Sequence, residues 1–291
     1  MPTVRVNGLD LYYEEVGSGT PLIFLHEFGG DWRSWEAQMR FFGRRYRCIS
    51  VNYRGYPPSS VPNDPDAYSQ DNLNRDLVGM MDALDIEKAH LCGLSIGGNM
   101  AVFMGIDYPQ RCLSLVAAGA GHGSVTGFMP GFDRAEFEHD FTKRAQALLD
   151  QGMAPIAEKQ ASGSVRIPLK VKDPRGWKEF RDQFVDHSNV GSAYTALGVP
   201  LKRPNYYDIQ DTLKKMDLPT LVIVGDQDDI CIEGSILLKR CLPNAGLMVV
   251  PMSGHALNLE EPDLFNRTVL DFLTAVEQGK WRRPTADLVA V

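Results

Sequence analysis

The 291 residues predict an α/β fold: a mostly parallel, twisted sheet with helices on both faces, interrupted by a helical lid insertion. Three observations carry this expectation. Six short apolar runs, PLIFLH (21 to 26), YRCISVNY (46 to 53), AHLCGLS (89 to 95), LSLVAAGA (113 to 120), TLVIVGD (220 to 226) and LMVVPM (247 to 252), are bounded by turn residues and suit strands buried on both faces. Helical spacing fills the gaps between them, and parallel neighbours need such crossovers. From about Gly121 to Asn205 the strand runs stop while the helical spacing continues.

Taken in order, residues 3 to 16 alternate in character and are broken by Asn7-Gly8, the pattern of an antiparallel hairpin at a sheet edge. Between Ser69 and Ile86, the residues Leu73, Leu77, Met80, Met81 and Leu84 share one helical face, with Ser69 placed to cap it. In the strand-free stretch, Phe137, Phe141, Ala145, Leu148 and Leu149 form one stripe, and Trp177, Phe180 and Phe184 form another. They predict a lid over 122–205 that splits a core domain of 1–121 and 206–279; the alternative is a set of helices packed on the sheet as ordinary crossovers. Phe265, Val269, Phe272 and Val276 mark a closing helix from Glu261 to Gly279, and 280–291, with a proline and no periodicity, is expected to be a tail. There is no internal repeat or low-complexity segment.

With 44% hydrophobic and 23% charged residues the chain has material for a core, so disorder is excluded for most of it. The formal charge of -7, with no long Lys/Arg cluster, argues against nucleic acid as a partner. Cys48, Cys92, Cys112, Cys231 and Cys241 are odd in number and lack the close pairing of a zinc site, which fits free thiols in a reducing compartment. The first residues have no basic head followed by an apolar stretch, and no run of 18 apolar residues occurs. A cytoplasmic protein without a membrane partner is the expectation.

The chemistry is concentrated in HLCGLSIGG, where Gly93-x-Ser95-x-Gly97 stands between a strand run and a helix pattern. A tight strand-to-helix turn exposes its serine only if neighbours two residues away lack side chains, and the helix that follows aims unpaired N–H groups at a developing oxyanion. The competing reading is a glycine-rich turn with no chemistry. A serine hydroxyl needs a base. Of six histidines, His90 lies inside a strand run, and His139 and His187 sit in amphipathic helices of the insertion; His26 ends a strand, and His122 follows one at the rim. His255, in PMSGHALNLEEPDLF, occupies a loop after the last strand and before the closing helix, where it can hang over the carboxyl edge of the sheet. A carboxylate to orient it is available among Asp226, Asp228 and Asp229, just past another strand.

At these residues the chain resembles the α/β-hydrolase family over nearly its whole length. GLSIGG is similar to that family's nucleophile elbow, VGDQDD to its acid turn and SGHALNLEEP to its terminal histidine loop. The match implies Ser95 as nucleophile, Asp228 as acid with Asp226 as fallback, and His255 as base. FLHEFGGDW resembles the family's H-G-x-x loop, which implies backbone N–H donors from Phe28 and Ile96 in an oxyanion hole. Two places depart from the pattern. Glu27 replaces the usual glycine after His26, and in NYRGYPPSS, around Arg54 and Gly55, Asn52 replaces an acid. Glu27 either faces the site, drawing an amine-bearing substrate or raising the pKa of His255, or it points to solvent or pairs with an arginine.

A serine rather than an aspartate at the elbow points to acyl transfer to water. The expected function is hydrolysis of small to medium, partly apolar carboxylic esters through an acyl-serine, with a small-molecule ester as partner and no metal or organic cofactor implied. Phe128, Phe132, Trp177 and Phe184 are the aromatic candidates for the pocket, or are core of the insertion. Amide or carbamate cleavage, carbon–carbon bond hydrolysis and perhydrolase chemistry use the same residues; carbon–carbon hydrolases of the family commonly carry tryptophan where this chain has Ala256. A non-catalytic ligand receptor on the same fold is the reading from another class.

Overall fold

The computed structural model describes residues 2 to 121 and 134 to 281, without the side chains of Arg134 and Phe137. His122, Phe128, Phe132 and the segment 282–291 lie outside the described residues. The chain opens with β1 (Thr3–Val6) and β2 (Leu9–Val16), followed by β3 (Pro21–Leu25), α1 (Glu36–Phe42), β4 (Arg47–Val51), α2 (Gln70–Ala83), β5 (Ala89–Leu94), α3 (Ile96–Asp107) and β6 (Cys112–Ala118). Five helices come next: α4 (Arg134–Gln151), α5 (Met153–Ala161), α6 (Ile167–Lys172), α7 (Pro174–Val185) and α8 (Asn189–Gly198). The chain then completes α9 (Gln210–Leu213), β7 (Thr220–Gly225), α10 (Asp229–Cys241), β8 (Ala245–Val250), α11 (Leu257–Glu260) and α12 (Pro262–Glu277).

The eight strands form one sheet in the order β1-β2-β4-β3-β5-β6-β7-β8, antiparallel at β1/β2 and β2/β4 and parallel elsewhere. Asn7 and Gly8 both take positive φ (49° and 80°), which a two-residue hairpin turn needs to match strand twist. Alternate strand residues feed two apolar layers. Ile23, Leu25, Leu91, Leu115 and Val222 join the layer of α2, α3 and α10, while Leu22, Phe24, Cys92, Val116 and Ile223 join that of α1 and α12. Burial on both faces is why these strands read as unbroken apolar runs.

Ser69 caps α2 as expected, its Oγ accepting from Asn72 N at 3.1 Å. Trp281, expected in a loose tail, is anchored: its ring packs edge-on to Phe272, and Nε1 donates to the Asn244 carbonyl at 3.0 Å. All five cysteines are buried and unpaired. Among the described residues no helix is long and apolar enough to cross a membrane.

Candidate active site

Ser95 sits between β5 and α3 with φ 57° and ψ -113°, a backbone conformation that side-chain-bearing residues rarely adopt. The turn is held from both sides: Ser95 N donates to Ala118 O at 2.8 Å, and Gly97 N donates to His26 O at 3.1 Å. A Cβ on Gly93 would lie 2.0 Å from Gly97 O, and one on Gly97 would lie 2.0 Å from Leu25 O. Both obstacles are backbone and cannot swing away, so the two glycines flanking the serine are a steric requirement of the elbow. Gly97→Ala is expected to destabilise the protein by about 1–3 kcal/mol through overpacking, read as a lowered urea midpoint; an unchanged midpoint would show that the turn relaxes freely.

Asp228 stands at the N-terminus of α10, its side chain 0% exposed, and accepts from His255 through Oδ2···Nδ1 at 2.7 Å. That bond occupies Nδ1 and leaves Nε2, across the ring, as the nitrogen available to a hydroxyl. Gly119 joins the pieces, since a Cβ there would lie 3.3–3.4 Å from Leu94 Cδ1, Asp228 Oδ2 and His255 Cε1. Asp226, the fallback acid, is exposed and turned away, with Oδ1 accepting from Ser253 N. Burial pushes the His255 pKa down, but the Asp228 carboxylate outweighs it and the result is a raised value.

The histidine loop is fixed by contacts with no local sequence signal. Glu260 accepts from Gly254 N at 2.8 Å and Ala256 N at 3.0 Å, and His255 N donates to the Val165 carbonyl at 2.9 Å. Val165 belongs to the segment between β6 and β7, so that segment is part of the frame around His255. Cys231 Sγ lies 3.7 Å from His255 Nδ1, and Asp228, Cys231 and His255 are the one convergence of potential metal ligands among the described residues. Burial holds the Cys231 thiol well above its usual pKa, and Asp228 Oδ2 is engaged by the His255 ring.

The expected oxyanion donors lie on two anchored elements. His26 O accepts from Gly97 N and from Tyr53 OH at 3.0 Å, and Phe28 O accepts from Tyr56 OH at 3.1 Å. These bonds orient the loop that carries Phe28 N–H, and Ile96 N–H opens α3; neither has a hydrogen-bond partner among the described residues.

Of the alternatives open for Glu27 and Trp177, the structure shows the arginine pair for the first and core packing for the second. Glu27 is 1% exposed and forms a two-pronged ion pair with Arg166, 2% exposed, with Oε1 accepting from Nη1 at 2.7 Å and Oε2 from Nη2. Burial pushes its carboxyl up, but Arg166 and then His255 hold it below the usual value. The carboxylate is therefore spoken for. Trp177 is packed with Ala161, Leu169, Phe180 and Ala256, its Nε1 donating to Ala161 O at 2.6 Å, so it is core of the helical segment. Phe184 packs edge-on to Phe28 with ring centres 6.0 Å apart.

The remaining histidines do other work. His90 is buried with Nδ1 2.7 Å from Ser114 Oγ, its pKa lowered by burial to about 4, and His26 is likewise lowered to about 4 and stacks on Tyr53. His187 is buried with Nε2 3.2 Å from Asp31 Oδ2, and His139 is exposed. Asn52 fills its departure structurally, with Oδ1 accepting from Trp32 N at 2.8 Å.

Residues 20–262 match the model of the alpha/beta hydrolase fold family. The chain belongs to the α/β-hydrolase family. It is similar to 3-oxoadipate enol-lactonase 2 of Acinetobacter baylyi, 27% identical over 271 residues that cover 92% of this chain and 94% of that protein. It is also similar to a putative carbamate hydrolase of Azorhizobium caulinodans, 27% identical over 96% of this chain and 100% of the other. In structure, a thermophilic esterase from Thermogutta terrifontis superposes with TM-score 0.82 over 94% of this chain and 98% of its own, at 24% identity, a likeness of fold. This α/β-hydrolase is a hydrolytic enzyme by kinship, and its relatives divide over which bond they break.

Proposed function

We propose that this α/β-hydrolase cleaves carboxylic esters, open-chain or cyclic, through an acyl-Ser95 intermediate. The observation that carries the reading is the 2.7 Å Asp228–His255 bond, in a chain whose elbow serine is held at positive φ between strand and helix. In this scheme His255 Nε2 takes the proton of Ser95 Oγ as the oxygen attacks the carbonyl. Asp228 fixes the tautomer and stabilises the imidazolium. The Phe28 and Ile96 N–H groups receive the oxyanion. His255 then returns the proton to the leaving alcohol, and water repeats the sequence to free the acid.

The helices α4 to α8 act as a lid in this proposal. Phe184 on Phe28, Phe180 against Gly29 and Arg166 on Glu27 bring them over the oxyanion loop, where they exclude water and shape the acyl pocket. The names of relatives support an ester or a near analogue: an enol-lactone is a cyclic ester and a carbamate is its nitrogen-bearing counterpart.

The test is a p-nitrophenyl ester series from acetate to decanoate, with fluorophosphonate labelling in parallel. Turnover of at least one ester together with a labelled Ser95 is expected, and the chain-length optimum sizes the pocket. Labelling without turnover of any ester would keep the nucleophile and reject the ester, and no labelling at all would favour a receptor.

A further inference from the structure

Three arginines are buried among the described residues: Arg54, Arg166 and Arg203. Two of them hold a carboxylate in a fork. Arg54 donates through Nε and Nη2 to both oxygens of Asp76 at 2.7 Å each, and Arg166 grips Glu27 in the same manner. Arg203, 8% exposed, has no acidic partner among the described residues. Nη2 donates to the Gly121 carbonyl at 2.9 Å, and Nε is buried with no hydrogen-bond partner. Burial pulls its pKa down, opposed by the Tyr206 hydroxyl and the Cys231 thiol, both of which burial keeps protonated at neutral pH.

A guanidinium cannot shed its proton at neutral pH, and removing it from water without a counter-ion is costly. The place where that cost is borne is informative. Gly121 lies just past the carboxyl end of β6, the edge at which open α/β sheets receive ligands. Cys231 interacts with Arg203 on one side and lies 3.7 Å from His255 Nδ1 on the other. Tyr206, the second neighbour, donates its hydroxyl to Asn99 Oδ1 at 2.6 Å, while Asn99 Nδ2 donates to the Ser95 carbonyl at 2.9 Å. A fixed positive charge is thus one side chain, Cys231, away from the histidine and two, Tyr206 and Asn99, away from the serine's carbonyl.

We infer that Arg203 receives the carboxylate of an anionic substrate, which makes carboxylate-bearing esters the substrate class of this site. A neutral ester leaves the guanidinium as it stands. A carboxylate a few bonds from the scissile carbonyl supplies to Arg203 what Asp76 and Glu27 supply to the other two buried arginines. The inference rests on the serine-hydrolase reading of Ser95, and its test separates the two.

The full-length protein is assayed on p-nitrophenyl monoesters of succinate, glutarate and adipate, each against the neutral ester of equal chain length. Glutarate binding is measured separately by calorimetry. For at least one pair, kcat/KM of the charged ester is expected to exceed that of the neutral one by roughly 10- to 100-fold, the span of a charge-assisted hydrogen bond. In Arg203→Gln that ratio is expected to fall towards one; Arg203→Lys, which retains the charge and controls for folding, keeps part of it. Glutarate should bind the native protein more tightly than Arg203→Gln by a similar factor. Equal glutarate affinity in native and Arg203→Gln protein overturns the carboxylate site, whatever the esters do. Discrimination in glutarate binding with no ester turned over keeps the anion site and rejects the hydrolysis of esters.

Discussion

Ser95→Ala is expected to lower kcat/KM by roughly 10⁴- to 10⁶-fold on any ester the native protein hydrolyses, leaving only the contribution of binding and the oxyanion donors. The backbone around the site should survive. Ser95 N and O make the hydrogen bonds to Ala118 and Asn99, and the alanine keeps both. Steady-state rates and urea midpoints of the two proteins, measured side by side, distinguish lost chemistry from lost fold. Turnover retained within tenfold would remove Ser95 from the mechanism, and the elbow geometry would then be a packing feature.

The second large effect concerns stability and pH together. Glu27→Gln and Arg166→Met are each expected to cost about 3–5 kcal/mol, because either one leaves a buried charge without its partner. The double variant should cost less than the sum, since it buries no lone charge. The same pair faces His255 together with Asp228 and Cys231, Arg166 lowering and Glu27 raising the imidazolium pKa. In Glu27→Gln the positive charge of Arg166 is unopposed, the His255 pKa falls, and the acid limb of kcat/KM moves to lower pH. In Arg166→Met the carboxylate is unopposed and the limb moves to higher pH. Two single variants with coincident acid limbs would show that the pair does not reach His255 electrostatically.

What the sequence disclosed follows from what periodicity encodes. Strands buried on both faces announce themselves as continuous apolar runs, so β3 to β7 were legible; the half-buried edge strand β8 showed an apolar run as well, and the hairpin through Asn7-Gly8 was legible from a turn that demands positive φ. The elbow was legible because Gly93 and Gly97 sit at fixed spacing from Ser95, and the steric reason for them is local. Pairings across the fold left no such trace. Arg166 meets Glu27 from 139 positions away, and His187 meets Asp31 from 156. The aromatic stripe of Trp177, Phe180 and Phe184 shows the converse: spacing established that these residues share a face, but contacts alone assign Trp177 to a core with Ala256.

The hydrogen bond from His255 N to the Val165 carbonyl bears on how this scaffold can be rearranged. A Cβ on Gly254 would lie 2.2 Å from that same carbonyl, so the histidine loop and the strand-free segment are moulded to each other at atomic contact. Chimeras that exchange the helices between β6 and β7 for those of a relative therefore have to carry residues 164–166 along with Gly254 and His255 as one block. Recombination between such enzymes is constrained by this contact, and a crossover placed inside it would separate two surfaces shaped to each other.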